Sequence, residues 1–84
     1  MTKYCLTVAC PTGRGIVAAI ATYLSDNGCN ITDSSQFDDA QTERFFMRVS
    51  FTSQEGVSLA ALEEGFAQTA QAFAMTAKFH DEAE

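Results

Sequence analysis

Residues 4–24 read YCLTVACPTGRGIVAAIATYL, and the break in the middle of this stretch decides how the chain folds. Tyr4, Leu6 and Val8 alternate with Cys5, Thr7 and Ala9, a period of two that predicts a strand over residues 4–9. Pro11 fixes φ and removes a backbone donor, so the strand is expected to stop there. Ile16, Ala19, Ile20, Tyr23 and Leu24 then recur at the spacing of one helical face. Between the two runs, Thr12 offers a hydroxyl suited to capping the helix, and Gly13 and Gly15 permit a sharp turn bare of side chains. The helix start presents free N–H groups and a partial positive charge, to which Arg14 adds a full one. A carboxylate or phosphate fits such a corner, but two glycines also read simply as a connector. The residues alone leave both readings open.

Outward from this join, Asn27-Gly28 supplies the left-handed residue that ends a helix. Residues 31–37 are polar for a strand, which suits the edge of a sheet, and 38–42 have the composition of a hairpin loop. Arg44 to Thr52 is the clearest strand. Phe45, Met47, Val49 and Phe51 share the face expected to meet a core, and Phe46, Arg48, Ser50 and Thr52 share the other. Ser53-Gln54-Glu55-Gly56 reads as a turn and helix start. Leu59, Leu62, Phe66, Ala70 and Phe73 mark a second helix, in which Gly65 costs about 1 kcal/mol relative to alanine and offers a close approach to the sheet. Met75, Ala77 and Phe79 mark a last strand, and residues 81–84 form an acidic end.

The order β-α-β-β-α-β, with right-handed crossovers, predicts an α+β ferredoxin-like fold: a four-stranded antiparallel sheet in the order 4-1-3-2 with two helices on one face. At 84 residues the chain is expected to be a single domain, with an ordered core over about residues 4–80. A domain this small is marginally stable alone. The net charge of -6 argues against nucleic acid and anionic membranes as partners, and no apolar run is long enough to span a bilayer. Cys5, Cys10 and Cys29 form no C-x-x-C pair, and with no signal peptide in view they read as reduced thiols in the cytoplasm.

Catalytic chemistry finds little support. His80 is the only histidine and falls on an apparent outer face. Asp38-Asp39 could serve acid–base work or a metal, but reads better as a solvated turn, and Cys and His lack zinc spacing, so no metal site is expected. An acylphosphatase-like reading of Arg14 lacks the matching glycine pattern and a well-placed asparagine. An RNA-binding reading of residues 44–51 presents only Phe46 as an outward aromatic, on an acidic domain. Phe46, Arg48 and the polar edge read better as a self-association surface, in which two edge strands pair across a two-fold axis.

Two stretches carry a family resemblance. Residues 10–19, CPTGRGIVAA, resemble the C-P-D-R-P-G-I-V-A opening of ACT domains in formyltetrahydrofolate deformylases. Gly28-Cys29-Asn30-Ile31, Ser35-Gln36-Phe37-Asp38-Asp39 and Arg44-Phe45-Phe46-Met47-Arg48-Val49 are similar to the same family's N-I, S-x-Q-F-D-D and R-F-F-M-R-V segments. The resemblance implies an N-terminal regulatory ACT domain, with residues 81–84 opening a linker to a formyltransferase-like catalytic domain that lies outside the chain. The enzymes of that family are hydrolases that convert 10-formyltetrahydrofolate, as substrate, to formate and tetrahydrofolate, supplying formate for purine synthesis. No turnover and no cofactor are expected of this domain itself. The resemblance further implies a homo-oligomer, a dimer or higher, that binds a small amino acid such as glycine or methionine between subunits. Carried onto this sequence, the ligand-binding residues are Thr12, Gly13, Arg14, Gly15 and Ile16 of the turn, with Asn30 and Ile31 at the second strand. The turn departs from the family's pattern: Thr12 stands for Asp, Gly13 for Arg and Arg14 for Pro. A stand-alone regulator of the glycine-cleavage repressor type, or a pure assembly domain with no ligand, are the alternatives.

Overall fold

The run over residues 4–9 is apolar on one face and small on the other, a pattern suited to the middle of a sheet rather than its polar edge. It becomes an inner strand. The computed structural model describes residues 2–53 and 57–81. Its elements are β1 (Thr2–Pro11), α1 (Ile16–Asp26), β2 (Cys29–Asp39), β3 (Arg44–Ser53), α2 (Leu59–Ala72) and β4 (Thr76–Asp81). All strand pairs are antiparallel and the sheet order is β2-β3-β1-β4, the expected arrangement with the polar strand at an edge.

Periodicity located the core. Tyr4, Leu6, Val8, Phe45, Met47, Val49, Phe51 and Phe79 from the sheet meet Ile16, Ile20 and Leu24 of α1 and Leu62 and Phe66 of α2. The Phe66 ring packs edge-on against Tyr23 and Phe79, with centroids 5.1 and 5.7 Å apart.

Several details differ from expectation. β2 runs to Asp39, so Asp38 and Asp39 are strand residues, and the hairpin turn occupies Ala40–Glu43 with Glu43 at φ 56°. Cross-strand hydrogen bonding to β3 draws them into the ladder despite their loop composition. Thr52 lies on the open side as expected but is buried there. α2 is capped by Ser58, whose Oγ accepts from the Ala61 N–H at 3.1 Å; residues 54–56 of the expected helix start, and 82–84 of the acidic end, lie outside the described residues. Gly65 admits not the sheet but α1: a Cβ there would stand 2.5 Å from the Tyr23 hydroxyl. That hydroxyl donates to the Leu62 carbonyl at 2.8 Å.

β2 also carries a bulge between Ile31 and Asp33. The extra residue switches the side-chain alternation. Ser34, Gln36 and Asp38 share the helix-facing side with Ile31 and Cys29, whereas Asn30, Asp33, Ser35 and Phe37 lie on the open side, as their β3 partners show. Phe37 therefore joins Phe46 on the open face, their rings 6.4 Å apart and 23° from parallel. The sheet presents two outward aromatics rather than the one expected.

Candidate functional site

The first strand–helix turn is built as the sequence implied, except for its cap. Gly15 occupies the N-cap of α1 at φ 80°, a left-handed conformation that costs other residues about 1–2 kcal/mol. Its carbonyl accepts the Ala19 N–H at 2.9 Å, and no side chain caps the first turn. Thr12 is not the cap, because it stands three residues before Gly15. Its hydroxyl instead donates to Asp38 Oδ1 at 2.7 Å, and its N–H donates to the Glu43 carbonyl at 2.9 Å. The turn is thus tied to the far end of β2 and to the β2–β3 hairpin.

Thr12, Gly13, Arg14 and Gly15 are exposed. Ile16 is 3% exposed and belongs to the core, so only its backbone N–H is placed to meet a ligand. Beside the turn, Pro11, Thr12, Asp38, Ala40 and Glu43 line an open cleft of about 360 Å³. The cleft has a polar, acidic wall; of the turn residues the sequence pointed to, Thr12 lines it, whereas Gly13, Arg14, Gly15 and Ile16 do not. The Asp38 and Glu43 carboxylates suit a cationic group, and the uncapped N–H groups at the start of α1 suit an anion.

Asn30 and Ile31 do not join this group within one chain. Thr12 contacts Asp38, and Asn30 lies eight positions before Asp38 along β2, a span of about 26 Å. The two also part company across the sheet: Ile31 pairs with buried Phe51 on the helix side, and Asn30 pairs with Thr52 on the other. Asp38 and Glu43 are the cleft residues that sequence reasoning missed. The signal for Asp38 was the Asp38-Asp39 pair, hidden by its resemblance to ordinary turn composition, and Glu43 carried none. No metal-binding cluster of His, Cys, Asp or Glu occurs among the described residues.

Behind the turn, Cys10 is fully buried and its thiol pKa is raised by that burial, against a smaller opposing pull from the Arg44 charge. Tyr23 is likewise pushed up, first by burial and then by Cys29. No disulfide joins Cys5, Cys10 or Cys29 among the described residues. No helix among the described residues is long and apolar enough to cross a membrane.

Comparison with known proteins agrees with the fold. A family model described as an ACT domain matches residues 5–80. A formyltetrahydrofolate deformylase of Bacillus subtilis is 38% identical over 74 residues, covering 84% of this chain and 24% of that protein. One from a Corynebacterium is 35% identical, covering 87% of this chain and 26% of its own. The crystal structure of the Burkholderia mallei deformylase superposes with a TM-score of 0.93 at 32% identity, over all of this chain and 30% of that one. The chain therefore spans about a quarter of the length of the curated relatives it matches.

Proposed function

The chain belongs to the ACT domain family and is related to the formyltetrahydrofolate deformylases, and from that premise we propose that it is a regulatory module which pairs with a second copy and holds a small amino acid, glycine or methionine, between the two. The observation that carries this reading is the position of β2 as the outer strand of the sheet, next to β3 alone among the described strands, with the Thr12 turn at one end and Asn30 and Ile31 at the other. Antiparallel pairing of two β2 edges about a two-fold axis near Ser34 runs the strands in opposite directions. It brings residues 29–31 of one copy beside the turn of the other, twice per dimer. With the bulge in place, Ile31 and Cys29 reach the helix side, where Asp38 and the turn already stand.

In this arrangement the uncapped N–H groups of α1 and the Arg14 guanidinium take the ligand carboxylate. Asp38 and Glu43 supply the negative wall for its ammonium. Ile31 of the second copy closes the cleft against water. Ligand binding then strengthens the dimer by mass action, which is how occupancy is transmitted. The parent protein, in this proposal, is a cytoplasmic hydrolase acting on 10-formyltetrahydrofolate, and this module adjusts its supply of formate to purine synthesis without itself catalysing a step.

Light scattering after size exclusion, with calorimetry against glycine and methionine, tests the reading. A dimer that binds either amino acid at up to millimolar concentration supports it. A strict monomer refutes the shared site. A dimer that releases no heat with either leaves the module as an assembly device, a reading favoured by the engagement of the Thr12 hydroxyl with Asp38.

A further inference from the structure

The strand register sorts the charges of this acidic chain. Lys3, Arg44, Arg48 and Lys78 lie on the open face of the sheet, four of the five cations in the sequence, together with His80. Asp33 and Asp39 are the carboxylates among the described residues of that face, whereas Asp26, Glu63 and Glu64 lie on the helices. A chain of net charge -6 thus presents one locally cationic surface.

The same surface is the aromatic one. Phe37 is 61% exposed and Phe46 is 41% exposed, side by side across β2 and β3. The next row along the sheet reads Ser35, Arg48, Thr7 and Lys78. Arg48 lies two residues from Phe46 on the same face, about 7 Å along the strand, and Lys78 is two strands further, about 10 Å across. Ser35 and Thr7 are short and keep the floor between these groups low. Ser35, Gln36, Phe37, Phe46, Met47 and Arg48 line a groove of about 280 Å³. That is room for one aromatic ring with a short tail, near the lower limit for small-ligand sites.

We propose that the open face of the sheet binds a small aromatic anion, its ring lying on Phe37 and Phe46 and its carboxylate or phosphate held by Arg48, with Lys78 adding long-range attraction. The site is separate from the turn, on the opposite side of the sheet from the helices. Edge pairing through β2 leaves it open, because that pairing joins backbones in the plane of the sheet. Aromatic stacking and a guanidinium fork supply the two contacts such a ligand needs.

Titration of the ¹⁵N-labelled chain with 4-aminobenzoyl-L-glutamate, and separately with adenosine monophosphate, tests the proposal and tells carboxylate from phosphate. The expected result is saturable amide shifts at Ser35, Phe37, Phe46, Arg48 and Thr7, weakened about tenfold by Arg48→Gln and by Phe46→Ser. Both positions are exposed, and a thermal melt confirms that the variants fold. Tighter binding of the first probe identifies an aromatic carboxylate as the ligand class, and of the second an aromatic phosphate. Absence of saturable shifts with both probes at millimolar concentration overturns the proposal. So does oligouridylate binding this face far more tightly than the mononucleotide, which would assign it to single-stranded nucleic acid.

Discussion

Gly65→Ala is the substitution whose outcome depends most directly on the packing of the two helices. In an isolated helix it stabilises by about 1 kcal/mol, because alanine restricts the unfolded backbone and glycine does not. Here the new Cβ would lie 2.5 Å from the Tyr23 hydroxyl, so the phenol must swing away. That motion breaks the 2.8 Å hydrogen bond to the Leu62 carbonyl, at about 1 kcal/mol. It also disturbs the edge-on contact with Phe66, worth about another 1 kcal/mol. The losses exceed the propensity gain, and the variant is expected to be about 1 kcal/mol less stable. In a Tyr23→Phe background the obstructing oxygen is gone, and the nearest ring carbon, 3.4 Å away, makes an ordinary contact. The same Gly65→Ala change should then stabilise by about 1 kcal/mol, a coupling of about 2 kcal/mol between the sites. Urea denaturation of the four proteins, followed by far-ultraviolet dichroism at one fixed protein concentration, measures the cycle. If Gly65→Ala stabilises the parent chain as much as it stabilises the Tyr23→Phe chain, the Tyr23 hydroxyl does not pack against Gly65 and the coupling is refuted.

Three further outcomes follow from the structure. Gly15→Ala should cost about 1–2 kcal/mol from its left-handed backbone alone, whereas Gly13→Ala, which meets no atom within 4 Å and has no such conformation, should be neutral or slightly stabilising in the same assay. Phe66→Ala removes a ring that is 1% exposed and contacts both Tyr23 and Phe79, so a loss of about 3–5 kcal/mol should abolish the cooperative melt at 37 °C in so small a domain. Because burial raises the Cys10 pKa above its ordinary 9.0, the folded chain binds that proton more tightly than the unfolded one. The associated stability is complete below pH 9 and is lost as pH rises through the native value, so Cys10→Ala should flatten the fall in stability measured from pH 8.5 to 10.5.

Local pattern determined most of the architecture. The alternation of β1 and β3, the apolar stripes of α1 and α2 and the breaks at Pro11 and Asn27-Gly28 each report burial on one side of a single element, and burial on one side is what periodicity encodes. The deformylase kinship was also legible, because residues 10–19 and 28–49 carry it as contiguous motifs. What no local pattern encodes is which residues distant in sequence come into contact. Thr12 finds Asp38, Tyr23 finds Gly65 and Phe37 finds Phe46 only once the strands are paired and the helices laid down. The bulge at Ile31–Asp33 shows the physical reason. One extra residue reverses every inward and outward assignment beyond it, and its position is set by hydrogen bonding to β3 rather than by the composition of β2. Sequence thus determined which elements form and which sides they bury, while cross-strand register decided what the turn and the open face are equipped to bind.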